Sequence, residues 1–144
     1  MKIEIFIDKN AQEKVQIFAK EHSTLVDKIK SLVEEQGQQL IGYTDREAVP
    51  LRAEEISLFI SEGGKIYALV GDKRYRIKER LYLLEQRFFA DFVKINQSCL
   101  ARTGEIKRFE AAFSGSLRVI FKNGYSDYVS RRCLKAVKER LGIK

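Results

Sequence analysis

One histidine, one proline and two cysteines in 144 residues leave little room for several kinds of chemistry. Cys99 and Cys133 are too few and too far apart for a disulfide scaffold. With His22 they form no CxxC or His/Cys ligand pattern, so no structural zinc site is expected. The simplest expectation is a reduced chain in the cytoplasm. The basic half has no histidine to act as a base at neutral pH, and Glu54-Glu55 and Asp91 are adjacent or isolated carboxylates of the kind common on surfaces. The turn glycines spell neither GxGxxG nor GxxxxGK[ST]. Catalysis, a cofactor and a small-molecule substrate are therefore not expected. There is no apolar run of membrane-spanning length, and the start MKIEIFIDKN alternates polar with apolar residues, unlike a secretory signal.

What the chain does have is an uneven charge. Residues 102–144 carry eleven Lys/Arg against four Asp/Glu, which accounts for the whole formal charge of +7, while residues 1–101 balance at sixteen of each sign. The basic residues are interleaved with Phe109, Phe113, Leu117, Val119, Phe121, Tyr125 and Tyr128, which a disordered arm would not need. Positive charge displayed on folded structure is the footprint of a protein that meets a polyanion.

Ile3, Ile5 and Ile7 alternate with Lys2, Glu4 and Phe6, and Val15, Ile17 and Ala19 repeat the period after Asp8-Lys9-Asn10, the pattern of a hairpin. Ser23 can cap a helix with an apolar stripe of Leu25, Ile29, Leu32 and Val33 that ends at Gly37. Residues 1–38 thus read as a ββα extension, a candidate dimerisation or docking module. From residue 40 the texture turns to short β-prone runs: Leu40–Thr44, Ala48–Leu51, Ile56–Ser61, Ile66–Gly71 and Arg74–Ile77, with Gly63-Gly64 and Gly71-Asp72 as turns. A short helix is expected over Lys78–Glu85. Strands follow at Ile106–Ala112, Leu117–Phe121 and Tyr125–Tyr128, joined by FSGS and KNGY. A last helix is capped by Ser130 and buries Leu134, Val137 and Leu141. The fold class expected is mostly β with short helices.

Two polar segments stand out. In FVKINQSCLAR, Asn96 and Gln97 can each present a donor and an acceptor to an adenine edge, while Lys94 and Ser98 can hold phosphate; a plain polar turn between strands looks the same. In YVSRRCLKAVK, Ser130 opens a helix whose first-turn amides favour an anion, and Arg131-Arg132 project from that end. The alternative for these arginines is a salt bridge to Asp127 or a solvated turn. His22 reads as a surface or capping residue, with a pH sensor as the sharper alternative, and Cys133 beside two arginines as a buried thiol, with redox sensing as the alternative.

At these segments the chain resembles the LytTR-type DNA-binding domain of bacterial transcriptional regulators. The resemblance runs in order through AEEISLFIS, YRIKERLYLLEQRF, FVKINQSCLAR and FKNGYSDYVSRRCLKAVKERL, and it covers residues 42–144. It implies an elongated set of three small antiparallel sheets that binds duplex DNA through loops, with no recognition helix. Carried over by position, base reading falls to the meander loop near Gly63–Ile66, with Lys65 as its candidate, to Asn96 and Gln97, and to Arg131 and Arg132. Candidates for phosphate contact are Lys78, Arg80, Lys94, Ser98, Lys107, Arg108, Lys122, Ser130 and Lys135. The partners implied are double-stranded promoter DNA, a second copy of the chain, at least on DNA, and a regulatory membrane protein. The alternative is an RNA-binding protein, which would display two or three of Phe88, Phe89, Phe92, Phe113, Tyr125 and Tyr128 together on a solvated sheet face.

Overall fold

The computed structural model describes residues 1–34, 40–112 and 115–143. After helix α1 (Thr24–Glu34) come strands β1 (Leu40–Tyr43), β2 (Ala48–Leu51), β3 (Leu58–Glu62), β4 (Lys65–Val70) and β5 (Lys73–Ile77). Helix α2 (Leu81–Arg87) leads into β6 (Phe92–Asn96) and β7 (Cys99–Arg102), then β8 (Ile106–Ala111), β9 (Leu117–Phe121), β10 (Ser126–Val129) and helix α3 (Arg131–Leu141). The mostly β class with short helices expected from the sequence is the one the chain adopts.

Period-two alternation explains the layering. In β3, Leu58 and Ile60 face one way and Phe59 the other, and all three are buried. Leu58 and Ile60 join Val93, Ile95, Cys99 and Ala101 in a core closed by Val119, Phe121, Val129 and Val137, the last from α3. Phe59 joins Phe92, Leu100, Ala68 and Ile77 on the opposite face, which Leu84 of α2 covers. A strand buried on both faces loses the polar alternation of a surface strand, and β3 reads LFI for that reason. The central sheet is therefore held between α2 on one side and the β8–β10 sheet with α3 on the other.

All pairings are antiparallel. The order is β2-β1-β5-β4-β3-β7-β6 in one sheet and β10-β9-β8 in the other. The three small sheets implied by the resemblance are visible as β1–β2, the strands β3 to β7, and β8–β10. The first two merge through a single register pair, Tyr43↔Arg76. Pro50 sits in the edge strand β2, where its missing N–H costs no ladder bond. Gly63 and Gly64, at φ 60° and 78°, form the two-residue turn between Glu62 and Lys65, a left-handed pair that suits the twist of a tight hairpin.

Helix α2 begins at Leu81, three residues later than the Lys78–Glu85 span expected. Arg80 offers no side-chain cap, so the docking of Leu84 and Phe88 sets the onset. Gly37 and part of the FSGS turn, Phe113 included, lie outside the described residues.

The hairpin expected over Ile3–Ile7 and Val15–Ala19 is not formed; residues 1–22 are exposed and carry no strand pairing. The turn explains why. Asp8 accepts from the Ala11 N–H at 3.2 Å and, through its carboxylate, from the Asn10 N–H at 3.0 Å. That turn would put Gln12, Lys14 and Gln16 opposite Ile7, Ile5 and Ile3, a one-residue mismatch that ruins the apolar face. An isolated two-stranded hairpin is marginal even with a good face. The α1 part of the extension does form, with Ser23 Oγ accepting from the Val26 N–H at 3.3 Å.

Gly42 marks the tightest point of the β1 layer. A Cβ there would lie 2.6 Å from Leu51 Cδ1 and 2.7 Å from Tyr75 Cβ, and the Tyr75 atom cannot retreat without moving its strand. Gly42→Ala is expected to cost about 1–3 kcal/mol, read as a lower urea midpoint at unchanged slope.

Candidate nucleic-acid interface

Register brings three of the singled-out segments to one end of the central sheet. Because β3 and β7 pair antiparallel at Ile60↔Cys99, the β3–β4 turn and the β6–β7 turn lie side by side. The Ser61 N–H donates to the Ser98 carbonyl at 2.8 Å, tying them together. The Ser130 N–H donates to the Ile95 carbonyl at 2.8 Å, which seats the start of α3 beside the same β6–β7 turn. Lys65, Gln97, Arg131 and Arg132 thus converge, and all four are exposed. Ile77 pairs with Ile66, so Lys78 also emerges at this end, its Nζ 4.2 Å from the centre of the Tyr43 ring.

Asn96 is engaged within the chain. Its amide donates to the Tyr128 carbonyl at 2.8 Å, and its Oδ1 accepts from the Ser98 N–H at 2.8 Å. Both ends of the amide are used, which leaves Gln97 as the outward amide of the turn. Ser130 caps α3, its Oγ accepting from the Cys133 N–H at 3.3 Å. The Asp127 salt bridge weighed for Arg131 and Arg132 is absent among the described residues; the Asp127 carboxylate instead accepts from the Tyr128 N–H at 2.8 Å.

Lys94, Lys107, Arg108 and Lys122 lie apart from this cluster. Lys94 is half-buried and shares the Phe92 side of β6. Lys107, Arg108 and Lys122 sit toward the end of the small sheet where Ile106 pairs with Phe121, away from the Val129↔Leu117 pair that leads into α3. Arg108 is further occupied, its Nε donating to Glu110 at 3.0 Å. Arg80 precedes α2, and Lys135 lies one turn into α3; both are exposed.

Many cations in the formal charge are spent inside the molecule. The buried Arg87 guanidinium donates to Glu79 at 2.7 Å and lies over Phe88. Arg102 donates to the Ile56 carbonyl at 2.7 Å and to Glu105 at 2.8 Å, and Arg140 donates to the carbonyls of Phe89 and Ala90. Sequence reasoning did not anticipate Arg74. Its guanidinium donates to Glu62 at 2.6 Å and stacks 4.3 Å over Tyr67, so it cancels the one carboxylate in the β3–β4 turn. Only the β4–β5 register, which sets Arg74 across from Leu69, could have indicated this. Glu62, Gly63, Lys65, Tyr67 and Arg74 line a depression of about 510 Å³ beside the turn.

The aromatic residues are mostly structural. Phe59, Phe88 and Phe92 form one mutual cluster with ring centres 5.1–5.9 Å apart, and Tyr125 packs on Phe121 at 5.9 Å. Tyr128 is exposed without a stacked aromatic neighbour among the described residues. Burial and the nearby Asp127 push the Cys99 thiol well above its usual range, so it is inert packing at neutral pH. His22, just ahead of α1, has its Nε2 2.5 Å from the carboxylate of Asp27 in the first turn of that helix, and both are well exposed, so the pair has little energetic weight.

The family model of the LytTr DNA-binding domain matches residues 46–142. Over 146 residues and 99% of both chains, this sequence is 29% identical to an uncharacterised HTH-type transcriptional regulator of Staphylococcus aureus strain NCTC 8325 / PS 47. It is 28% identical to the corresponding regulator of strain MSSA476, again over 99% of both chains. Among solved structures, the LytTr DNA-binding domain of a Bacillus cereus methyl-accepting/DNA response regulator superposes with a TM-score of 0.69 at 16% identity, covering 72% of this chain and 96% of that one. The "HTH-type" wording belongs to those relatives; among the described residues here β1 to β5 separate α1 from α2, and β6 to β10 separate α2 from α3. The matched stretch begins ahead of β2 and runs through α3, so the sequence and the fold agree on one assignment: the chain belongs to the LytTR family of DNA-binding domains.

Proposed function

We propose that the chain is a sequence-specific, double-stranded DNA-binding transcriptional regulator that reads the major groove with the β3–β4 turn, the β6–β7 turn and the first turn of α3. The observation that carries this reading is the convergence of Lys65, Gln97, Arg131 and Arg132 at one end of the sheet, with no internal ion pair to any of the three cations among the described residues. Guanidinium groups suit guanine O6 and N7, and the Gln97 amide suits an adenine edge. Asn96 acts as the residue that holds the turn, and Gln97 as the one that reads. Lys78, Arg80, Ser98, Ser130 and Lys135 supply phosphate contacts around the reading end, and Lys94 adds positive charge behind it. Lys107 and Lys122 lie farther along by about one strand of five residues, roughly 17 Å, and hold the backbone across a groove, while Arg108 stays paired with Glu110. The packing of Phe88 on the buried Phe92 and the isolation of Tyr128 favour duplex DNA over stacked RNA bases.

The test separates reading from positioning. Gln97→Ala is expected to weaken binding to the cognate promoter duplex by about 1–3 kcal/mol and to leave random duplex nearly untouched. Lys107→Ala is expected to weaken both about equally. Titrations of each variant against cognate and scrambled duplex check this; equal behaviour of the two variants overturns the division of roles.

A further inference from the structure

Of the fourteen large exposed hydrophobic residues among those described, eleven lie in the first 33 positions. The densest run is Ile3, Ile5, Phe6 and Ile7, exposed at 79, 79, 85 and 94%. Residues 1–38 carry six lysines against seven Asp/Glu, so this part of the chain has no electrostatic attraction to DNA. An apolar run of this kind needs a protein partner, and its sequence indicates which one. We infer that residues 2–8 pair antiparallel with the same residues of a second copy, about a two-fold axis through Ile5, to form a dimer interface separate from the DNA-reading end.

A two-fold interface must be self-complementary, and Lys2–Asp8 meets that condition in one register. Centred on Ile5, Ile3 faces Ile7 of the second copy, Ile5 faces its own counterpart, and Lys2 faces Asp8 in two equivalent ion pairs. Every neighbouring register fails on charge or on face. Centring on Glu4 sets Glu4 against itself, and centring on Phe6 sets Glu4 against Asp8. A shift by one residue puts isoleucines against polar groups. Parallel in-register pairing stacks Lys2 on Lys2 and Asp8 on Asp8, and like charges directly opposite destabilise a strand pair. The second alternating segment lacks this property, since centring on Ile17 sets Lys14 against Lys20. In the isolated chain Lys2 pairs with Glu4 at 3.2 Å, its one carboxylate among the described residues, and both side chains are well exposed. Asp8 is already held in its turn by the Asn10 N–H, which marks the end of the pairing strand.

The interface forms without DNA, so its test is the oligomeric state of the full chain in DNA-free buffer, by sedimentation equilibrium over a concentration series. The unsubstituted chain is expected to dimerise at the upper end of the series, because two short strands without a third make a marginal interface. Ile5→Lys removes two buried isoleucines and sets two ammonium groups face to face on the axis, so it is expected to raise the dimer dissociation constant roughly 100-fold or more. Its thermal midpoint as a monomer should not change, because Ile5 is exposed in the single chain. Lys2→Glu is expected to weaken the dimer up to about tenfold, and adding Asp8→Lys to restore it. In a Cys133→Ser background, Ile5→Cys should form a self-disulfide under mild oxidation well before Ile3→Cys or Ile7→Cys, because only the residue on the axis faces itself. A monomer at all concentrations, a dimer indifferent to Ile5→Lys, or equal cross-linking at the three positions overturns the inference. DNA affinity is measured separately: a dimer without promoter preference would sink the DNA reading alone, and a promoter-binding monomer would sink this interface alone.

Discussion

Raising salt from 50 to 200 mM is expected to lower affinity for the promoter duplex by about three orders of magnitude per bound chain, with a log–log slope near −5. The magnitude follows from counting cations by location and not by composition. Lys78, Arg80, Lys107, Lys122 and Lys135 are the exposed cations proposed to touch phosphate, and each neutralised phosphate releases about 0.9 counterion. Arg74, Arg87, Arg102, Arg108 and Arg140 donate to carboxylates or carbonyls within the chain and release none. Lys135→Ala should therefore reduce the slope by about one and Arg140→Ala should leave it unchanged, although both remove one positive charge. Fluorescence anisotropy at four salt concentrations measures the slope. A slope shallower than about −2 would mean that these cations do not face the phosphate backbone, and equal effects of the two substitutions would mean that only net charge matters.

The largest loss of stability is expected from Phe59→Ala, about 3–5 kcal/mol. Phe59 is fully buried in β3, its ring centre 5.9 Å from that of Phe88 and 5.1 Å from that of Phe92, and it is the residue on which α2 and the chain beyond it are laid. Its removal opens a cavity between the central sheet and α2 that the surrounding backbone, paired on both sides of β3, cannot close. Against a total of about 5–15 kcal/mol for a small domain, that loss leaves a large unfolded fraction at 37 °C. Tyr82→Ala on the exposed side of α2 should shift stability by no more than about 0.5 kcal/mol. Urea unfolding followed by circular dichroism distinguishes the two, and a Phe59→Ala cost under about 1 kcal/mol would mean that α2 is not packed where it is described.

Strands with one buried face and tight turns were legible in the sequence because alternation and glycine pairs are local signals. The runs at Leu40–Tyr43, Ala48–Leu51 and Leu117–Phe121 fall where the pattern puts them, and Gly63-Gly64 turns the chain as expected. The start of α2 was not legible, since tertiary docking and not a cap decides it. The early hairpin misled because alternation reports a strand's faces but not the register that its turn allows. At the candidate interface, residue types marked the β6–β7 turn and the start of α3, yet the hydrogen bonds that join them link residues 35 positions apart, Ile95 with Ser130. For the same reason Asn96 and Gln97 looked equivalent: only the carbonyl of Tyr128, 32 positions away, sets them apart.

The ties that gather the loops proposed to read DNA, Ser61 to Ser98 and Ile95 to Ser130, run from backbone to backbone. They do not depend on which side chains the tips display. Gln97, Lys65, Arg131 and Arg132 can therefore be exchanged in the course of evolution with little cost to folding, while Asn96 and the buried strands beneath them stay under constraint. A regulator built this way can follow a drifting promoter one tip residue at a time, and copies of its gene can diverge in target while remaining the same protein in every other respect.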